Sequence, residues 1–300
     1  MERETRRDLI GIGWMLATGL CFVAVNGIVR GLDGALPAPQ AAFIRFLFGL
    51  AFLLPVIAPA LRGGFPAPVW RMFALRGGLH VVAVVAWFHA MSRITVAEVT
   101  AIGFLNPIVV TLGAALFMGE RLAARRLAAV GVALLGALVV LRPGLRVLDP
   151  GHLSQVAASL AFGASYLVAK RLSERVPAAI VVAMMSLCVA IGLAPLALAV
   201  WVPPSLSQVL WLGVVAVFAT LGHYTMTRAF AAAPLTVTQP VTFLQLIWAS
   251  LVGVFVFAEP LDGWVILGGA MMIAAISYIT WREAQIRART KTPPVGATKA

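Results

Sequence analysis

The sequence predicts an all-α integral membrane protein: ten transmembrane helices, arranged as two inverted five-helix repeats around a central cavity, with both termini cytoplasmic. Three observations carry this. Hydrophobic residues make up 61% of the 300-residue chain and charged residues 11%, against about 25% charged in a soluble domain. The apolar residues form near-continuous runs of about 20, enough to cross the hydrocarbon layer as helices, without the period-two alternation of a transmembrane barrel. Finally, an order of features in 80–122 (apolar run, break at Ser92-Arg93-Ile94-Thr95, polar step at Asn106-Pro107, closing Gly119-Glu120-Arg121-Leu122) returns in 222–261, ending at Ala258-Glu259-Pro260-Leu261.

The first span covers 9–29, between Asp8 and Arg30. It has no small-residue cleavage site and reads as a retained helix, not a signal peptide. A loop with Asp33 and two prolines leads to span two, 41–61, and Gly63-Gly64 with Pro66 and Pro68 marks the next turn. Spans three, four and five follow at 70–91, 96–118 and 127–141, the last short enough that Arg126 and Arg142 snorkel to opposite interfaces. Pro143 and Pro150 bracket the connection at mid-chain. Spans six to ten take 152–169, 176–201, 209–227, 235–258 and 263–281, with Pro203-Pro204-Ser205 dividing an uncharged stretch between Arg175 and Arg228. The units are therefore an N-terminal repeat (1–142), a connecting loop (143–151), a C-terminal repeat (152–282) and a disordered basic tail (283–300).

The formal charge of +12 points to lipid headgroups and not to nucleic acid, because the basic residues flank the apolar runs. With the N-terminus inside, the inner segments carry 18 Lys and Arg, Arg62, Arg71 and Arg76 among them, and the outer segments 4. That bias places both termini in the cytoplasm, and the chain in a bacterial inner membrane as a multi-pass protein. Cys21 and Cys188 lie inside apolar runs and suit neither a disulfide framework nor a metal site. No cofactor or metal is expected, and the sequence carries no signal for an oligomeric state.

A shift of 139 residues aligns Phe104-Leu105 with Phe243-Leu244, Ile108 with Ile247 and Glu120 with Glu259, and a shift of 140 aligns Arg30 with Lys170. Each half has an odd number of spans, so the copies lie in opposite orientations, a common construction in secondary transporters. Two such repeats, each with Gly-Glu-x-Leu or Ala-Glu-x-Leu between its fourth and fifth helices, and Arg45-Phe46 early in span two, resemble the ten-helix EamA-type permeases of the drug/metabolite transporter superfamily. Within that group the chain is most similar to YddG-type exporters of aromatic amino acids. The resemblance implies a central cavity lined by spans one, three, four, six, eight and nine, with five and ten peripheral.

Candidate substrate contacts are His80 and Trp87 on one face of span three; Thr100, Phe104 and Asn106 in span four; Tyr166 in span six; Tyr224 in span eight; and Gln239 and Phe243 in span nine. Polar side chains at bilayer depth face protein or water, so each is either a substrate contact or an interhelical hydrogen bond. Trp87 also reads as an interfacial belt residue. The repeat matches Asn106 with Gln245 and Asn26 with Tyr166, and Tyr224 is preferred over its neighbour His223. Pro107 and Pro240 each free a backbone carbonyl one turn earlier. Glu120 and Glu259 read as caps of the helices that follow them, and Arg45 as a snorkelling or gating residue.

No carboxylate lies deep in any span, and spans three, four, eight and nine lack a central Lys or Arg. Drug cations, carboxylate-based proton antiport and phosphorylated sugars thereby lose their counter-charge. A neutral or zwitterionic solute with an apolar body fits best: export of aromatic or hydrophobic amino acids and related small metabolites by alternating access, with facilitated diffusion as the simplest energetics. The substrate and the bilayer are then the partners. A proton-coupled multidrug exporter, with His80 as the titrating group, is the alternative. A channel and a membrane enzyme come behind it, since no catalytic constellation occurs.

Overall fold

The computed structural model describes residues 2–32, 34–118, 124–142, 147–233, 235–242 and 244–291. Twelve helices account for nearly all of them: α1 (Glu2–Gly31), α2 (Ala38–Gly63), α3 (Ala67–Met91), α4 (Val96–Gly103), α5 (Leu105–Met118), α6 (Ala124–Leu141), α7 (Pro150–Ser173), α8 (Ala178–Ala199), α9 (Leu206–Ala232), α10 (Leu235–Thr242), α11 (Leu244–Phe257) and α12 (Gly263–Lys291). No strand occurs among the described residues. Spans four and nine are each delivered as two helices, so the twelve make ten spans.

The breaks have a local cause. Pro107 has no N–H to give the carbonyl of Gly103, the residue at which α4 ends. The amide of Phe104 instead reaches back three residues to Ala101, 3.1 Å away, which tightens the turn. In span nine Phe243, at the junction of α10 and α11, lies outside the described residues.

Helix starts are set by chemistry written in the sequence. Thr95 and Glu98 form a reciprocal capping box at α4, with Glu98 N–H to Thr95 Oγ1 at 3.1 Å and Thr95 N–H to Glu98 Oε2 at 3.0 Å. Ser205 and Gln208 do the same at α9, which therefore starts ahead of the expected 209. The prolines that mark loops in the sequence sit in the first turns of α2, α3 and α7, where a missing N–H costs nothing. At the other terminus α12 continues to Lys291, so the tail expected to be disordered from 283 is helical for its first nine residues. Arg282 hydrogen-bonds Gln285 one turn on, at 2.9 Å; residues 292–300 lie outside the described ones.

Among the described residues five helices are long and apolar enough to cross a membrane by themselves: Arg6–Gly31, Ala38–Gly63, Ala67–Met91, Ala178–Ala199 and Leu206–Ala232. The equally long α7 is more polar because it faces protein. Its Gln155 and Ser159 are buried and donate to the carbonyls of Val99 (3.0 Å) and Ile102 (3.1 Å) in α4. Outward-facing Leu54, Val82, Leu135, Ile191 and Phe255 are exposed, as suits contact with lipid tails.

Packing follows one pattern. α1 lies along α9, α3 along α7, α2 along α8 and α6 along α12. Exchanging the two five-span halves leaves these pairings unchanged. The peripheral α6 and α12 cross at Gly136 and Gly268, where a β-carbon on Gly136 would stand 2.7 Å from the carbonyl oxygen of Gly268. Small residues permit this close backbone approach.

One sequence assignment is overturned by packing. Arg76, counted among the charges at the inner membrane surface, is fully buried in α3 and donates from Nη1 to the carbonyl of Val181 in α8 at 2.9 Å. The charge bias of the loops survives its removal from the count.

Candidate substrate-binding cavity

Between the halves lies a cavity of about 1190 Å³, counted out to bulk solvent. Its walls come from α1 (Phe22, Asn26), α2 (Arg45), α3 (His80, Trp87), α4 and α5 (Thr100, Asn106), α7 (Gln155, Phe162, Tyr166), α9 (His223) and α11 (Gln245), with Phe104 at the α4–α5 break. No Asp or Glu lines it among the described residues. Of the sequence candidates, His80, Trp87, Thr100, Phe104, Asn106 and Tyr166 are brought together here.

Tyr224 is not. It projects from the other side of α9, edge-on to Trp14 with ring centroids 6.5 Å apart, and its hydroxyl accepts from Arg228 Nη1 at 3.2 Å. Its neighbour His223 faces the cavity in its place, because adjacent helical residues diverge by about 100°. The side chains of Gln239 and Phe243 lie outside the described residues.

The aromatic side chains form a continuous wall. His80 meets Phe162 and His223 edge-on, each at 5.1 Å between ring centroids, and Phe46 at 5.9 Å. Phe162 stacks on Tyr166 at 5.9 Å and 17°, and Phe22 stands edge-on to His223 at 5.2 Å. His80 Nδ1 is 3.3 Å from Ser165 Oγ. Such a surface offers both ring faces and ring edges to a flat solute.

The polar atoms are as telling. Asn26 Nδ2 reaches Thr100 Oγ1 at 3.5 Å, and Thr100 donates to Val96 O at 2.8 Å. By contrast Asn106 Oδ1, Gln155 Oε1, His223 Nδ1 and Arg45 Nη1 are buried with no hydrogen-bond partner. All four belong to cavity-lining residues. Buried polar groups are normally satisfied, so unmet acceptors and donors collected in one cavity mark a place for a ligand with polar edges.

Both ends of the cavity carry a polar tie. At one, Arg30 pairs with Glu259 (Nε to Oε1, 2.9 Å) and donates from Nη1 to the carbonyl of Met91 at 3.2 Å. Glu259 Oε2 also accepts from the Val96 amide at 3.0 Å. Glu259 thus caps α4 and not the helix that follows it; the cap of α12 is Asp262, which accepts from Trp264 N–H at 2.9 Å. Nearby, Glu98 meets His152 at 3.3 Å, Arg142 pairs with Asp262, and buried Gln40 makes two hydrogen bonds with the backbone of Val202. The other end lies along α7, about 36 Å in length at 1.5 Å per residue. There Lys170 donates to the carbonyl of Phe230 at 2.9 Å. Lys170 is the repeat partner of Arg30, and Phe230 that of Met91, so the same tie occurs once at each end. Glu120, the repeat partner of Glu259, lies outside the described residues.

The EamA-like transporter family matches the chain twice, over 9–142 and 149–281. A riboflavin transporter of Rhizobium johnstonii is 32% identical, covering 93% of this chain and 94% of its own. One from Vibrio cholerae is 27% identical over 92% and 94%, and an S-adenosylmethionine uptake transporter of Rickettsia bellii 24% over 91% and 94%. A crystal structure 21% identical in sequence superposes with a TM-score of 0.62, covering 96% of this chain and 99% of that one, which shows a shared fold. These relatives are named for riboflavin and S-adenosylmethionine, not for the aromatic amino acids of the YddG-type exporters. With both halves of the chain matched and the fold shared, the protein is a membrane transporter of the EamA-like family.

Proposed function

We propose that the protein is a carrier of small, flat aromatic or heteroaromatic metabolites with polar edges, moved through the bacterial cytoplasmic membrane by alternating access. The observation that carries the reading is the cavity wall: stacked and edge-on rings interrupted by unpaired hydrogen-bonding atoms. Aromatic amino acids share this chemistry with the flavins and adenosyl compounds for which the relatives are named. With no carboxylate lining the cavity among the described residues, transport down the solute's own gradient is the simplest mode.

Alternating access rests on the two ties. In inverted halves, Arg30 with Met91 closes one face and Lys170 with Phe230 the other, and opening one while keeping the other exposes the cavity to a single side. The excess of basic residues in the loops on the Lys170 side supports a cytoplasmic position for that face.

Counterflow in proteoliposomes tests the reading. Vesicles preloaded with one aromatic solute are challenged with labelled solute and a panel of competitors. Aromatic amino acids, flavins or adenosyl compounds should compete, and aliphatic amino acids and sugars should not. Equal competition by aliphatic solutes would end the proposal.

A further inference from the structure

Two arginines in the heart of the protein have no counter-ion among the described residues. Arg45, in α2, lines the cavity while only 7% exposed, and its Nη1 has no hydrogen-bond partner. Its nearest aromatic neighbour is Phe46, whose ring centre lies 3.9 Å from the guanidinium carbon. Arg76, in α3, is fully buried; one bond to Val181 O leaves Nε and Nη2 unpaired. Both cations lie close enough to His80 and Tyr166 to act on them electrostatically.

Five carboxylates are committed elsewhere. Among the described residues Glu98 faces His152, Asp149 faces Arg93, Glu174 faces Lys170, Glu259 faces Arg30 and Asp262 faces Arg142. Asp8 sits near the start of α1. Two buried guanidinium groups without an anion are a standing desolvation cost, and a planar fork of N–H donors matches a carboxylate or phosphate oxygen pair. The opposite character, unpaired acceptors, is found at Asn106 and Gln155.

We infer that Arg45 is an anion subsite of the cavity: it receives an anionic group of the transported solute, a carboxylate in the first instance, with the buried Arg76 adding positive potential. This rests on the aromatic-solute reading for the rest of the ligand, and it sharpens the expectation of a neutral or zwitterionic solute to one with a negatively charged end. Arg45 makes the contact, whereas Arg76 acts through the field it adds.

The experiment compares acids with their uncharged amides. Purified full-length protein is titrated with indole-3-acetate and indole-3-acetamide, and with hexanoate and hexanamide, followed by calorimetry. The acid of the aromatic pair should bind at least about tenfold tighter than its amide, the worth of one charge-assisted hydrogen bond. R45Q should abolish that preference, and R45K, which keeps charge without the fork, should retain part of it. The melting temperature of each unliganded variant reports folding; R45Q should melt no lower than the parent, since it removes an uncompensated buried charge. Acid and amide binding alike, or R45Q leaving the preference intact, overturns the subsite. Tight binding of hexanoate without indole-3-acetate would keep the subsite and overturn the aromatic reading instead. Failure of every acid to bind overturns the subsite outright.

Discussion

Glu259→Gln should loosen the tie at the Arg30 end. The wild-type carboxylate, 8% exposed, accepts one bond from Arg30 Nε at 2.9 Å and one from the Val96 amide at 3.0 Å. An amide oxygen can keep the Val96 bond, but it loses the ionic component and turns an N–H₂ group toward the guanidinium. Arg30 is 22% exposed, so water recovers only part of the loss. The difference between a charged and a neutral bond, with one donor left facing another, is about 1.5–3 kcal/mol. Charged against the closed state alone, it shifts the closed-to-open ratio at that end by about 10- to 150-fold. Spin labels at Gly31, the last residue of α1, and Val256, in the last turn of α11, read this out in a background without Cys21 and Cys188. The parent should give one short distance, and the variant a second, longer population. An unchanged distance distribution would refute the assignment of Glu259 to a gate.

Other consequences are simpler to check. His223→Ala should weaken binding of an aromatic solute by about tenfold, as loss of a ring contact of about 1 kcal/mol with a polar handle implies, while Tyr224→Phe, outside the cavity, should change the affinity less than twofold. Gly136→Val should lower the melting temperature, with a cost of about 1–3 kcal/mol for overpacking, because its β-carbon meets the carbonyl of Gly268; unchanged melting would contradict the close crossing of α6 and α12.

Much of this architecture was legible in composition and punctuation. The ten apolar segments follow from residue types and their spacing, and so does a proline step in span four, though the sequence predicts one helix over 96–118 where the structure has two. What escaped are matters of direction and partner. Tyr224 and His223 are sequence neighbours, and no periodicity in an apolar helix says which faces the cavity. Glu259 stands just before α12 in sequence but spends its charge on Arg30 and the start of α4, a contact across 163 residues that only the fold creates. Arg76 reads as an interfacial charge because it lies near the start of its helix, yet α8 covers it. Arg45 had one signal, a lone cation inside an apolar run. Its meaning depended on where the nearby carboxylates went, which becomes visible once Glu98, Glu259 and Asp262 are placed beside their partners.

The central claim is that the ring-lined cavity is where the solute is carried. It is tested most directly by initial rates of labelled aromatic solute uptake into proteoliposomes, measured against concentration for the parent, Trp87→Ala and Phe162→Ala. Saturation is expected in the parent, with acceleration when the same solute is present on the far side, and an affinity about 5- to 30-fold weaker in each variant, equivalent to about 1–2 kcal/mol per lost aromatic contact. Flux that rises linearly without saturation, or that is indifferent to both substitutions, would contradict it.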